Sequence, residues 1–249
     1  MLAPARPESP LEPLIEIDRV SRVYRRGADE VRALDEVSLR VPPGCFVALM
    51  GPSGSGKSTL LHLLAGLDRP TSGEVIVAGE RLGELSEDEL ARFRAHHVGF
   101  VFQFFNLIPV LSARGNVELP LLLTDLDRAE RRARAETALR VVGLADRADH
   151  APGELSGGEQ QRVAIARAIV SDPEIVVADE PTGDLDAKNA VEILSLLRDL
   201  RVEFGKTVMM VTHDPRAERF VDVIHHLDKG VLRDTVPGGA ALAEGEGAA

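Results

Sequence analysis

The sequence predicts an α/β fold with a mostly parallel sheet, an antiparallel β subdomain at its N-terminal side and an α-helical subdomain inserted into the core. Three observations predict it. An apolar run at 45–50, a glycine-rich loop at 51–59 and a helical stretch at 60–65 follow one another directly. Further apolar runs at 98–102, 175–178 and 207–212 each end in polar residues, as strands covered on both faces do. Between 104 and 170 no strand signal intervenes, and about 120 residues separate the glycine loop from the carboxylates near 180, more than one βαβ crossover needs.

The chain has 249 residues, enough for one large or two small domains. Its formal charge of −11 argues against non-specific binding to nucleic acid or anionic lipid, which clustered Lys and Arg would drive. Any nucleotide must be held by a local site. The single Cys45 lies in an apolar run and excludes a disulfide framework or a cysteine zinc site. No run of about 18 apolar residues exists to cross a membrane, and the start carries Pro and Glu where a signal peptide is apolar. The chain is therefore expected in the cytoplasm or attached to a membrane through another polypeptide. Residues 1–13 and 236–249 bury little and are expected as disordered tails around a domain at 14–235.

Taken in order, Ile15 and Ile17 alternate with Glu16 and Asp18, and Val37, Leu39 and Val41 with Ser38 and Arg40. Period two with polar partners predicts half-exposed antiparallel strands joined by a turn around Gly27. Tyr24, the only tyrosine, ends the first of them and is either an adenine-stacking platform or an edge-strand aromatic. Next comes Gly51-Pro52-Ser53-Gly54-Ser55-Gly56-Lys57-Ser58-Thr59. Its glycines let backbone N–H groups converge on an anion without β-carbon obstruction, and it ends at a helix N-terminus carrying roughly half a positive charge. Lys57 supplies a full charge for the β- and γ-phosphates, and the Ser58 hydroxyl can reach a Mg²⁺.

Strand-like segments follow at 74–78 and 98–102, the second ending in Gln103. A polar residue beyond a strand's carboxyl end can meet a nucleotide, although it reads equally as a surface glutamine opening a loop. The inserted subdomain, 104–170, is expected to pack a core of its own, and its strip at 104–111 also suits a partner helix. Inside it, Leu155-Ser156-Gly157-Gly158-Glu159-Gln160-Gln161-Arg162 opens a helix. Ser156 and Glu159 have capping-box spacing, and the paired glycines leave first-turn N–H groups bare, which makes a second anion site.

Ile175-Val176-Val177-Ala178-Asp179-Glu180-Pro181 is a buried strand ending in two carboxylates. Alternation would send adjacent side chains to opposite faces, so the strand must end there, with Pro181 helping to turn the chain. Asp179 would then orient a Mg²⁺ shell, and Glu180 would polarise an attacking water. His213 follows the last long buried strand, where a γ-phosphate contact is geometrically possible. The other six histidines carry no ligand spacing. A helix start projecting from an inserted subdomain cannot easily fold back on its own glycine loop. Two copies meeting head to tail with ATP between them are therefore expected.

These motifs together resemble the ABC-type ATPases, a branch of the P-loop NTPases, over about residues 14 to 235. The resemblance implies that residues 51–59 are the Walker A loop, Tyr24 the adenine-stacking aromatic, and Gln103 the glutamine that senses Mg²⁺ and the membrane partner. It further implies that 155–160 is the family signature, Asp179 and Glu180 the Walker B pair, and His213 the switch histidine. Glu159 stands where the signature more often has Gln, and Gly183-Asp184-Leu185-Asp186 replaces the common Ser-Ala-Leu-Asp, leaving the roles of Gly183 and Asp184 open. The segments at 66–73 and 102–109 are similar to the lipoprotein-release and macrolide-export (LolD/MacB) branch. That likeness implies ATP hydrolysis driving a separate integral-membrane permease, on the cytoplasmic face of the membrane. A soluble ATPase acting on DNA or ribosomes is the alternative, but the chain has neither the coiled coil, the cysteine zinc modules nor the second cassette of such proteins. A regulator that binds ATP without turnover would not need Lys57, Asp179, Glu180 and His213 together.

Overall fold

The computed structural model describes residues 12–27 and 29–241. In chain order it forms β1 (Ile15–Arg26), β2 (Asp29–Val41), β3 (Phe46–Met50), α1 (Lys57–Leu64), β4 (Ser72–Val77), β5 (Glu80–Arg81), α2 (Glu87–His97) and β6 (Val98–Phe102). There follow α3 (Ala113–Glu118), α4 (Arg128–Val141), α5 (Gly157–Ile169), β7 (Ile175–Asp179), α6 (Ala187–Phe204), β8 (Thr207–Val211), β9 (Val223–Asp228) and β10 (Val231–Pro237).

Two sheets result. One, of order β2-β1-β4-β5, is antiparallel and built on the β1–β2 hairpin that the alternating pattern predicts. The other has order β10-β9-β3-β8-β7-β6, with every pairing parallel except the edge strand β10. β3 lies inside this sheet between β8 and β9, so the glycine loop that follows it opens at the carboxyl edge. The segments leaving β6, β7 and β8 emerge at the same edge, and with them Gln103, Asp179, Glu180 and His213. Carboxyl edges are where open α/β sheets collect their ligands.

Period two on the buried strands sorts the core into two layers. Phe46, Ala48 and Met50 of β3 face one layer with Val176, Ala178, Val208 and Met210, whereas Val47 and Leu49 face the other with Val177, Met209 and Val211. The second layer is closed by Leu60, Leu61, Leu63 and Leu64 of α1 and by the inner face of the antiparallel sheet, Ile15, Ile17, Val37 and Val75. Truncating one of these fully buried leucines to Ala would cost about 2–5 kcal/mol.

The first layer corrects an expectation. The inserted helices do not pack a core of their own: Val117, Leu121, Ala135, Leu139 and Ile165 join Phe46, Met210, Leu194 and Leu197 in one continuous cluster. With only Ala135, Ala138 and Leu139 buried along its 14 residues, α4 carries too narrow an apolar stripe to close a separate core.

β9 and β10 carried no clear strand signal, because His225 and His226 interrupt the apolar run. His225 is nevertheless buried, with its Nδ1 2.8 Å from Thr235 Oγ1 across the β9–β10 pair. The C-terminal boundary also moves. β10 reaches Pro237, and the N–H groups of Gly238 and Ala240 donate to Asp222 O and Val221 O at 2.8 and 3.2 Å. Residues 236–240 therefore belong to the sheet edge rather than to the expected tail. The remainder of the two expected tails, 1–11 and 242–249, lies outside the described residues. Cys45 is buried as expected, and burial first, with the Asp222 charge second, pushes its thiol up to about 12, leaving it inert.

Candidate functional site

The glycine loop is shaped by two close approaches. A β-carbon on Gly51 (φ 149°) would stand 2.0 Å from Leu227 O, and one on Gly56 (φ 100°) 2.3 Å from Ala33 O. Only glycine fits either position. Gly56 is also the N-cap of α1. No side chain caps that helix and no acid lies in its first turn, so its N-terminal N–H groups keep their positive field for an anion. Lys57 is 8% exposed, and its ammonium folds back to donate to Gly51 O at 2.8 Å and Pro52 O at 3.0 Å. The charge thus sits over the mouth of the loop.

From the neighbouring helix position the Ser58 hydroxyl donates to Asp179 Oδ1 at 3.1 Å. A hydroxyl and a carboxylate side by side, next to an anion cradle, match the hard oxygen donors that Mg²⁺ takes together with substrate phosphates. The residues fit the ion, although no group of three or more His, Cys, Asp or Glu that could hold a metal by itself occurs among the described residues.

Asp179 is the last residue of β7, aligned with Phe102 on one side and Val211 on the other. The Glu180 N–H still donates to Val211 O at 2.9 Å, but its φ of 47° throws the chain out of the strand. A left-handed glutamate before a proline is a strained position, and strain of this kind gathers at functional sites. This twist answers the alternation problem, because the strand ends between the two carboxylates. The Glu180 carboxylate accepts from the His213 N–H at 3.3 Å, and its Oε1 lies 2.9 Å from His213 Nδ1. His213 is 73% exposed in its side chain and Glu180 only 18%, so the imidazole is the outer member that can reach a ligand. Behind it Asp214 accepts from Thr182 Oγ1 and from Arg216, which pins the turn. Burial opposes the Asp214 charge, yet the Arg216 and Thr182 hydrogen bonds hold its carboxyl below the usual range.

Gln103 lies just beyond β6, and its side chain packs over Gly183. The segment that follows turns through two left-handed residues, Phe105 (φ 45°) and Asn106 (φ 50°), whose carbonyls both accept from Arg167 of α5. A groove of about 500 Å³ runs beside it, lined among others by Leu67, Arg94, Phe100, Phe102, Leu123 and Arg167. Phe104, Ile108, Val110, Leu122 and Leu123 are exposed near by.

Tyr24 is exposed at the end of β1. Its hydroxyl donates to Asp68 Oδ2 at 2.8 Å, and the Arg22 guanidinium covers one ring face at 4.5 Å while itself pairing with Asp68. The ring is thus held in place with a single face left for stacking.

The capping box at the start of α5 forms as the spacing predicts. The Ser156 hydroxyl accepts from the Glu159 N–H at 3.3 Å, and the Glu159 carboxylate accepts from the Ser156 N–H and hydroxyl, both at 2.8 Å. Those two Ser156 bonds, aided by Arg147 and Arg162, hold the Glu159 carboxyl below the usual range, so Glu fills the capping role of the more common Gln. The groups nearest Gly157 and Gly158 belong to Phe105, Leu185 and Asn189, and a β-carbon on Gly158 would stand 2.2 Å from Asn189 Oδ1. None of these is a glycine-loop residue. Within one chain, the structure joins residue 58 of the glycine loop with Asp179, and Glu180 with His213, whereas among the described residues no hydrogen bond links the Ser156 helix start to residues 51–59. Sequence reasoning missed Asp68, Asp214 and Gln161. Only for Gln161 was there a signal, since it shares a helical face with Ala164, Ile165 and Ala168, all buried.

A family model described as ABC transporter matches residues 34–183. The lipoprotein-releasing system ATP-binding protein LolD of Chromohalobacter salexigens is 48% identical over 223 residues, covering 90% of this chain and 94% of that protein. The macrolide export ATP-binding/permease protein MacB of Hyphomonas neptunium is 47% identical over 233 residues. That match covers 93% of this chain but spans only 36% of the MacB relative. Among solved structures, the dimeric ATP-binding cassette MJ0796 in a post-hydrolysis state bound to ADP and Pi superposes with a TM-score of 0.82. It is 44% identical, covering 90% of this chain and 98% of that one.

Proposed function

This chain belongs to the ABC transporter family, and on that premise we propose that it is the ATP-binding and ATP-hydrolysing subunit of a transporter of the lipoprotein-release and macrolide-export type. The carrying observation is that one chain holds two anion-facing helix starts, Gly56 with Lys57 and Ser156 with Gly157, that do not meet. Each completes a site only against a second copy. ATP sits on residues 51–59 of one copy and under Ser156, Gly157, Gly158 and Glu159 of its twin; that two copies pair at all is supported by the dimeric form of the MJ0796 cassette.

In this reading Lys57 and the N–H groups of α1 bind the β- and γ-phosphates, and Tyr24 stacks the adenine on its free face. Ser58 and Asp179, with Gln103, hold Mg²⁺, which when bound neutralises charge on the phosphate oxygens. Glu180 accepts the proton of the attacking water, a role worth about 10²–10⁴ in rate or 3–5 kcal/mol. His213 fixes the carboxylate of Glu180 and reaches toward the γ-phosphate. The domain is taken to run from residue 14 through the β10 edge.

The membrane partner is a permease in a separate chain. Among the described residues no helix is long and apolar enough to cross a membrane. The groove lined by Phe100, Phe102 and the exposed Leu123, close in sequence to Gln103 and the exposed Phe104, is where a permease segment docks at the cytoplasmic face.

The experiment is light scattering of the Glu180→Gln variant with Mg-ATP. A dimer that forms with ATP and disperses with ADP is expected, together with phosphate release by the wild type. A variant that stays monomeric at saturating Mg-ATP would overturn the paired-site reading.

A further inference from the structure

Gln161 is fully buried in the second turn of α5, and its amide nitrogen donates to Pro181 O at 2.7 Å and to Phe102 O at 3.3 Å. Those two carbonyls belong to the residue after Glu180 and the residue before Gln103. β6 and β7 are adjacent and parallel, with Phe102 opposite Asp179, so the two carbonyls lie where the ladder between them runs out. One side chain therefore bridges the ends of both strands that deliver proposed catalytic groups. The same side chain stands five residues from the Ser156 cap on a continuous helix. Its orientation is fixed, because reversing the amide would set its oxygen against two carbonyl oxygens. The amide oxygen, Oε1, is buried with no donor among the described residues. Buried acceptors are rarely left so, since the loss of water is uncompensated. A residue kept for packing alone would gain nothing from that arrangement, and methionine fills the same volume without it.

We propose that Gln161 is a positioning residue for ATP hydrolysis, tying the helix that begins at Ser156 to Phe102-Gln103 and to Glu180-Pro181, so that engagement of the helix start by the twin's nucleotide sets Glu180 and Gln103 for reaction. The inference rests on the paired-site reading above and adds to it the link between the two sites within one chain. The bridge transmits displacement because α5 and the strand ends are rigid and the two hydrogen bonds are short tethers. Removing the donors leaves nucleotide binding at residues 51–59 intact and lets Glu180 drift from its working position.

The test compares Gln161→Met and Gln161→Glu with wild type in the full chain. For Gln161→Met the expected result is a kcat at least tenfold lower with KM within about twofold. In the Glu180→Gln background, the same substitution should leave the ATP-dependent dimer visible by light scattering. A glutamic acid at this site faces two carbonyls, so its protonated form can donate one hydrogen bond and its ionised form none. The activity of Gln161→Glu relative to wild type should therefore rise as the pH is lowered, which a packing defect would not produce. A Gln161→Met enzyme within twofold of wild-type kcat overturns the inference. So does a Gln161→Glu enzyme whose relative activity is flat with pH, and this second readout decides the matter if Gln161→Met fails to fold. If wild type neither releases phosphate nor, as Glu180→Gln, dimerises on ATP, the underlying reading fails instead.

Discussion

Gln103 lies across the α-carbon of Gly183: a β-carbon there would stand 3.0 Å from the Gln103 amide nitrogen, 3.2 Å from its Cδ and 3.3 Å from its Cγ. The position that the family more often fills with serine is therefore the one on which the glutamine rests. The backbone of Gly183 needs no left-handed conformation, so its substitution presses on the side chain of Gln103 rather than on the fold. Gly183→Ala should keep its melting temperature within about 2 °C of wild type, because a flexible amide can give way. Its kcat should fall about 2–10-fold with ATP affinity unchanged, measured by phosphate release and by titration with a fluorescent ATP analogue. Unchanged kcat would mean that Gln103 does its work from another position.

Gly54 and Gly56 allow a sharper separation of fold from binding. Both have positive φ, 75° and 100°, but a β-carbon at Gly54 meets nothing within 4 Å whereas one at Gly56 collides with Ala33 O at 2.3 Å. In urea unfolding, Gly54→Ala should cost about 1 kcal/mol, the penalty of a left-handed alanine. Gly56→Ala should cost about 3 kcal/mol or more, since backbone must move as well. Both should bind ATP at least tenfold more weakly. Equal stability of the two variants would sink the distinction.

His225 gives the molecule an acid sensitivity above the carboxylate range. Burial first, and the neighbouring His226 second, depress its pKa below the ordinary 6.5. The unfolded chain then binds a proton that the folded chain refuses. Stability is fully present above about pH 6.5 and is lost as the pH falls from there through the folded-state value, by at most about 1.4 kcal/mol per pH unit. His225→Gln, which keeps a polar partner for Thr235, should flatten the unfolding free energy between pH 6.5 and 5.5. An equally steep profile in that variant would place the proton elsewhere.

Much of the site was legible because its chemistry is written in contiguous residues. The run 51–59, the Asp179-Glu180 pair at a strand end and the Ser156–Glu159 capping spacing need only a local backbone to acquire meaning, and each takes the local shape its spacing implies. What was not legible depends on contacts between distant segments. Gly183 acquires its reason only when Gln103, far back in the chain, is laid over it. Gln161 stands in a polar run, Glu159-Gln160-Gln161-Arg162, where periodicity alone marks it as inward-facing. β9 escaped because two histidines stand where a buried strand is expected to be aliphatic, and the fold accommodates one of them through Thr235. The separate core expected for the inserted helices failed for a simpler reason. α4 buries only Ala135, Ala138 and Leu139, too narrow a stripe to close a separate core, and the cluster it joins is completed by the sheet.

That shared cluster limits how the insertion can travel. Leu139 and Val117 are wedged into the same close-packed interior as Phe46 and Met210, and such interiors yield by small repacking steps instead of stretching. Any swing of the insertion must therefore repack its base against the sheet, as a lever welded at one end would. A bulky label or cross-link at that weld should jam the machine more completely than one of equal size on the outer tip.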